Sequence, residues 1–156
     1  MYSQERDVTL NAAEYLASKI ALLAAVSCVQ AWVLVGFVRY GTQLPGGASA
    51  WLLIMSAVAI AGTTAGIAIS AWSSNEEVAI GFVPIWLIPQ IILGDAIVAL
   101  DGGNALVAKF AISLFHGVEG TNTLLTDDAI SMKSILILAA HSVIAIGIAL
   151  FRLARR

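Results

Sequence analysis

The sequence predicts an all-α membrane protein of about four transmembrane helices, with an N-terminal amphipathic helix and a re-entrant or interfacial helix before the last span. Three observations predict it. Of 156 residues, 60% are hydrophobic and 12% charged, against about 25% charged in an average soluble domain, and the mean hydropathy is +0.92. Apolar runs close to the roughly 20 residues that a helix needs to cross hydrocarbon recur along the chain. Tryptophan, arginine and polar turns mark the ends of those runs, as membrane interfaces require. The length suits one domain, 1–156, and no internal repeat or low-complexity run divides it.

The first element covers residues 1–19, where Glu5, Arg6, Asp7, Glu14 and Lys19 alternate with Val8, Leu10, Tyr15 and Leu16. This mixture suits an amphipathic helix at the membrane surface. Asn11 with Glu14 forms a variant capping box, from which a helix can run straight into the first span. That span, 20–38, has no charge and closes on Arg39, Tyr40 and the turn Pro45-Gly46-Gly47. The second, 51–72, is bracketed by Trp51 and Trp72, rings expected at headgroup level on both sides. Ser73-Ser74-Asn75-Glu76-Glu77 makes a tight polar turn, in which Ser73 with Glu76 or Ser74 with Glu77 can cap the next helix, so the second and third spans form an antiparallel hairpin. The third span, 78–100, contains Pro84 and Pro89, each of which removes a backbone donor, and a kinked or broken helix is expected. Residues 104–116 are apolar but short, which suits a re-entrant or interfacial segment. Residues 116–128 are polar and glycine-containing, with Thr126, Asp127 or Asp128 available to cap a last span over 131–151, stopped by Arg152, Arg155 and Arg156.

Several function classes fall away at this level. A net charge of −2 and a pI near 5.5 provide no basic face for phosphate neutralisation, so nucleic acid is not a partner. Cys28 is the only cysteine, which excludes an internal disulfide and a multi-cysteine metal site. The polar N-terminus carries Glu5 beside Arg6 and does not read as a cleavable signal. With four spans, Arg6, Lys19, Arg152, Arg155 and Arg156 fall on one side against Arg39, Lys109 and Lys133 on the other, which favours both termini in the cytoplasm.

The stretch Gln4-Glu5-Arg6-Asp7-Val8-Thr9-Leu10, followed by Glu14-Tyr15-Leu16-Ala17-Ser18-Lys19, resembles the coupling helix that precedes the third span in membrane domains of type-2 ABC exporters, the group that includes the G-subfamily transporters. The resemblance continues through Gly62-Thr63-Thr64-Ala65-Gly66, the turn Asn75-Glu76-Glu77, Val83-Pro84-Ile85 and Ile88-Pro89-Gln90-Ile91, so it covers residues 2–95. It departs at Leu93-Gly94-Asp95, where the family has a Phe-Ser-Gly-like stretch. It also leaves the family's first two spans and its ATP-binding domain unmatched, with no Gly-x-x-x-x-Gly-Lys-Ser/Thr loop present. The resemblance thus implies the C-terminal part of a six-span permease, as a fragment, a split permease or a truncated gene.

The resemblance implies that Glu5, Arg6, Tyr15 and Lys19 receive motion from a separate ATP-binding domain or subunit. ATP and Mg are then used by that partner, and no cofactor or metal is bound by this chain, which is no enzyme by itself. It further implies a second permease half or a homodimer, a bacterial inner (plasma) membrane location, and a translocation path along the span that carries Pro84, Pro89 and Gln90. Phe82, Trp86 and Ile92 would line an apolar cavity there. Gly62, Gly66 and Ser70 form a small-residue face suited to helix packing, within the chain or between copies. Asp95 is either a functional acid or a solvent-exposed span end. His141 either pairs, relays a proton or meets a ligand, or it simply hydrogen-bonds a neighbouring helix. His116 and Glu119 can face each other across one helical turn. A self-contained membrane assembly subunit is the alternative function, and an intramembrane enzyme or proton conductor using Asp95, Glu119 and His141 is a third.

Overall fold

A computed structural model describes residues 12–94, 109, 112–127 and 129–155. Its helices are α1 (Ala12–Gly41), α2 (Ala48–Trp72), α3 (Glu76–Ile92), α4 (Ser113–Asp127) and α5 (Met132–Ala154). Among the described residues there is no strand, and α2, α5 and α1 from Glu14 onward are long and apolar enough to cross a membrane.

No proline interrupts residues 12–41, and α1 is one helix of 30 residues, about 45 Å at 1.5 Å per residue. Residues 12–19 and 20–38 therefore share a single rod that exceeds the roughly 30 Å hydrocarbon thickness. Residues 1–11, with the expected cap Asn11, lie outside the described part. After α1 the chain turns at Gly46, whose φ of 87° is the left-handed conformation that glycine enters without steric cost. Arg39 donates to the Gly46 carbonyl (2.9 Å), and the Trp51 indole donates to that of Pro45 (2.7 Å). Trp51 is thus buried in the core, whereas Trp72 is exposed.

The central helix is α2, packed against the other four. Ala50, Trp51 and Ile54 at its start share a cluster with Val35 of α1, Leu124 of α4 and Leu138 of α5. Ala71 at its end meets Leu16 of α1 with Ala149 and Leu153 of α5. Hence α1 runs antiparallel to α2, and α5 runs parallel to it. Two polar ties join α1 to α2: Trp32 Nε1 to Ser56 Oγ (2.8 Å) and Thr63 Oγ1 to Ser27 Oγ (2.9 Å). In a bilayer such ties replace the hydrophobic drive that lipid removes.

Caps are assigned differently from the sequence reading. Asn75, not Ser73 or Ser74, caps α3 by accepting from Val78 N at 2.9 Å, because the Ser73 backbone and hydroxyl both bond the Ile69 carbonyl and close α2. Ser131, not residues 126–128, caps α5, since Thr126 and Asp127 belong to α4.

That helix is the main departure from expectation. Residues 116–128 read as polar connection, yet 113–127 form a helix buried against α2 and α5. The reason is spacing: Gly117, Gly120 and Leu124 share one face, and the two glycines let the α4 backbone lie directly on Val58 and Ile54 of α2. A Cβ at Gly120 would sit 2.5 Å from Ile54 Cδ1. Of the expected re-entrant segment 104–116, residues 104–108, 110 and 111 lie outside the described part.

α3 crosses both prolines in one uninterrupted helical segment of 17 residues, about 25 Å long. Residues 95–100 of the expected span lie outside the described part. Its apolar residues Ile80, Ile85 and Ile88 face outward, and only Gln90 is buried. Elsewhere in the bundle Leu22, Phe37, Leu136 and Val143 also point out, and His116, Thr64 and Ser134 are enclosed as fully as Ile54, Leu124 and Leu138. Lipid-facing surface must be apolar, and polar groups must find partners inside.

Candidate functional site

A polar cluster lies where α4 and α5 meet. His116 is 1% exposed; its Nε2 lies 2.8 Å from the Lys109 carbonyl and its Nδ1 lies 3.0 Å from Glu119 Oε2. A carbonyl only accepts, so Nε2 carries hydrogen. Nδ1 meets the carboxyl favourably when one of the pair donates. Glu119 Oε1 accepts from Lys133 Nζ at 3.1 Å, across the turn into α5. Burial pushes the Glu119 carboxyl up, but the hydrogen bonds from Lys133 and His116, with their charges, outweigh it and hold the group below its ordinary value. The carboxylate therefore stays ionised. Among the described residues no group of three or more His, Cys, Asp or Glu side chains is placed to hold a metal.

His141 approaches the cluster from α5, its ring centroid 6.2 Å from that of His116. Its Nδ1 bonds the Ile137 carbonyl of its own helix at 2.9 Å, not a neighbouring helix. Asp95 lies outside the described residues.

Gln90 points inward from α3. Its Oε1 accepts from Leu114 N (3.0 Å) and Ser113 Oγ (3.1 Å), so one helix supplies the N-terminal cap of another. Pro84 and Pro89 lie on the outer helix, and by lacking N–H groups they leave the carbonyls of Ile80 and Ile85 without their usual intrahelical donors.

Between α2, α3 and α5 lies an open groove of about 270 Å³, lined by Ala65, Trp72, Phe82, Trp86, Ile144 and Ile148, among others. Two of the three side chains expected to line a cavity are here; Ile92 instead faces outward. Ser113 and His141 add the polar side chains of the wall.

The remaining expected residues lie apart from this region. Glu5 and Arg6 are outside the described part. Tyr15 and Lys19 lie on the first turns of α1, with the ammonium 4.9 Å above the ring. Gly62, Gly66 and Ser70 lie on one exposed stripe of α2, and a Cβ at either glycine would meet nothing within 4 Å. That face is therefore unused for packing among the described residues.

Sequence reading missed the roles of three residues. Lys133 pairs with Glu119 from 14 positions away, Gln90, expected on the translocation path, caps α4, and Arg152 read only as a stop charge although its guanidinium lies 5.5 Å from the Trp72 ring. The spacing of Gly117, Gly120 and Leu124 was the available signal for α4; nothing periodic marks Lys133.

The model of the ABC-2 type transporter family matches residues 1–118, a stretch that includes α1, α2, α3 and His116. No curated protein and no solved structure matches the chain. A match over most of the length, on an apolar helical bundle, places the chain in the ABC-2 type transporter family, as an integral membrane permease domain of an ABC transporter.

Proposed function

We propose that this chain forms part of the translocation path of an ATP-driven exporter and receives motion from a separate ATP-binding domain. The family match over residues 1–118 carries this reading. The receiving element is the segment with Glu5, Arg6, Tyr15 and Lys19, and the continuity of α1 supports it. Leu16 is packed against Ala71, Ala149 and Leu153, so displacement of that end of α1 bears at once on α2 and α5. A packed core passes such a push on because it resists continuous deformation. ATP and Mg act at the partner.

The substrate path runs along α3, whose prolines free the carbonyls of Ile80 and Ile85. The working unit contains a second permease half or a second copy, joined through the bare face of Gly62, Gly66 and Ser70, where small residues let backbones approach closely. Both termini face the cytoplasm of a bacterial inner membrane.

The test is co-purification and reconstitution with an ATP-binding partner, comparing ATP turnover of wild type and Arg6→Glu. A turnover altered several-fold with unchanged assembly is the expected result. Indifference to the reversal would remove Arg6 from the coupling surface, and absence of any ATPase partner would overturn the reading.

A further inference from the structure

We infer that the groove between α2, α3 and α5 is a binding site for one acyl chain of an anionic phospholipid, with Arg152 holding its phosphate. The groove has the dimensions and chemistry for this. On α2 its wall extends eleven residues, from Ala61 to Trp72, about 16 Å of helix, and on α5 seven, from His141 to Ile148, about 10 Å. One leaflet of hydrocarbon is about 15 Å deep, half of the roughly 30 Å core. Apart from Ser113 and His141 the wall is apolar, and Trp72 stands at its end.

Arg152 is one turn beyond Ile148, the last groove residue on α5. Its guanidinium lies over the Trp72 ring at 5.5 Å, and its Nε is buried without a hydrogen-bond partner. Among the described residues no carboxylate lies within salt-bridge distance of it. A buried guanidinium N–H left unpaired is costly, and a phosphate oxygen is the acceptor that its fork fits best. Arg155, stacked on Phe151 at 4.0 Å, adds a second positive charge one turn further along α5. Zwitterionic lipid has the same tail but carries a compensating cation, so these charges favour a net-negative headgroup.

The bound chain has a mechanical role. α3 packs against α2 and α4, and the groove separates it from α5. An acyl chain in that gap completes the contact, so it holds the proline-bearing helix in the bundle.

The test uses the full chain purified in detergent, with thermal unfolding and native mass spectrometry against phosphatidylglycerol, phosphatidylcholine and inorganic phosphate. Phosphatidylglycerol is expected to be retained at least tenfold more tightly than phosphatidylcholine and to raise the Tm, with inorganic phosphate giving no shift. Arg152→Gln should abolish the preference for the anionic lipid, Arg152→Lys should keep part of it, and Ala68→Trp, which fills the groove, should weaken retention of both lipids. Equal retention of the two lipids by wild type overturns the proposal, as does a preference unchanged in Arg152→Gln. Protection by inorganic phosphate equal to that by phosphatidylglycerol would leave an anion site without an acyl chain and also overturns it. Should Arg152→Gln fail to fold, the wild-type preference and Ala68→Trp decide: retention unaffected by the filled groove counts against the site.

Discussion

At the scale of residues, charge and space are settled by neighbours that the linear sequence does not place side by side. Glu119 is the clearest case. With its carboxyl held below the ordinary value by Lys133 and His116, the stabilisation it confers is complete above the unfolded value, near 4.3, and is lost as pH falls through the lower folded one. Wild type should lose stability on acidification below about pH 4. Glu119→Gln should be less stable at neutral pH and show a flatter acid profile, measured as Tm against pH in detergent. A parallel profile for the two proteins would refute the ionised pair. Gly120 tests space. Its added methyl would meet Ile54, itself 1% exposed, so Gly120→Ala should cost about 1–3 kcal/mol by overpacking. Gly66→Ala, with nothing within 4 Å, should be neutral or stabilise by up to about 1 kcal/mol through helix propensity. Chemical denaturation of the three proteins distinguishes these outcomes.

At the scale of elements, helices end and begin through contacts with one another. Gln90 on α3 satisfies the first turn of α4, so Gln90→Leu should destabilise α4 by about 0.5–2 kcal/mol, the range for a lost N-cap. Hydrogen exchange at Leu114 N–H should accelerate accordingly while α1 and α2 stay protected. Unchanged exchange would mean that the cap carries no weight. Residues 20–38, 51–72 and 131–151 were legible as apolar helices because lipid requires long uncharged runs. α4 was not legible in the same way. Its buried face is made of glycines and its polar side chains pair inside the protein, so neither hydrophobicity nor charge exposes the helix. The proline-bearing span was legible as a helix; its burial of Gln90 alone, with apolar residues turned out, follows from the position of α3 at the edge of the bundle.

At the scale of the whole molecule, the bundle is built around α2, with one face of that helix left bare. Gly62→Leu and Gly66→Leu should preserve the fold of the single chain, since a Cβ at either position meets nothing within 4 Å. If copies or permease halves join through this face, the same variants should reduce crosslinked dimer in membranes several-fold. Undiminished crosslinking would place the contact elsewhere. The test belongs at this scale because no property of one chain changes.

Composition and run length by themselves determined that this is a helical membrane protein, and the order of its acidic turn and prolines pointed to the ABC-2 type family, since both are local consequences of a lipid solvent and of chain order. Only the tertiary structure decided that Gln90 caps α4, that His116, Glu119 and Lys133 form one hydrogen-bonded cluster, and that Arg152 lies over Trp72 at the end of an apolar groove. Each of these joins residues on different turns or helices, and their proximity depends on how glycines, prolines and small side chains let the helices approach. Sequence spacing does not encode that distance.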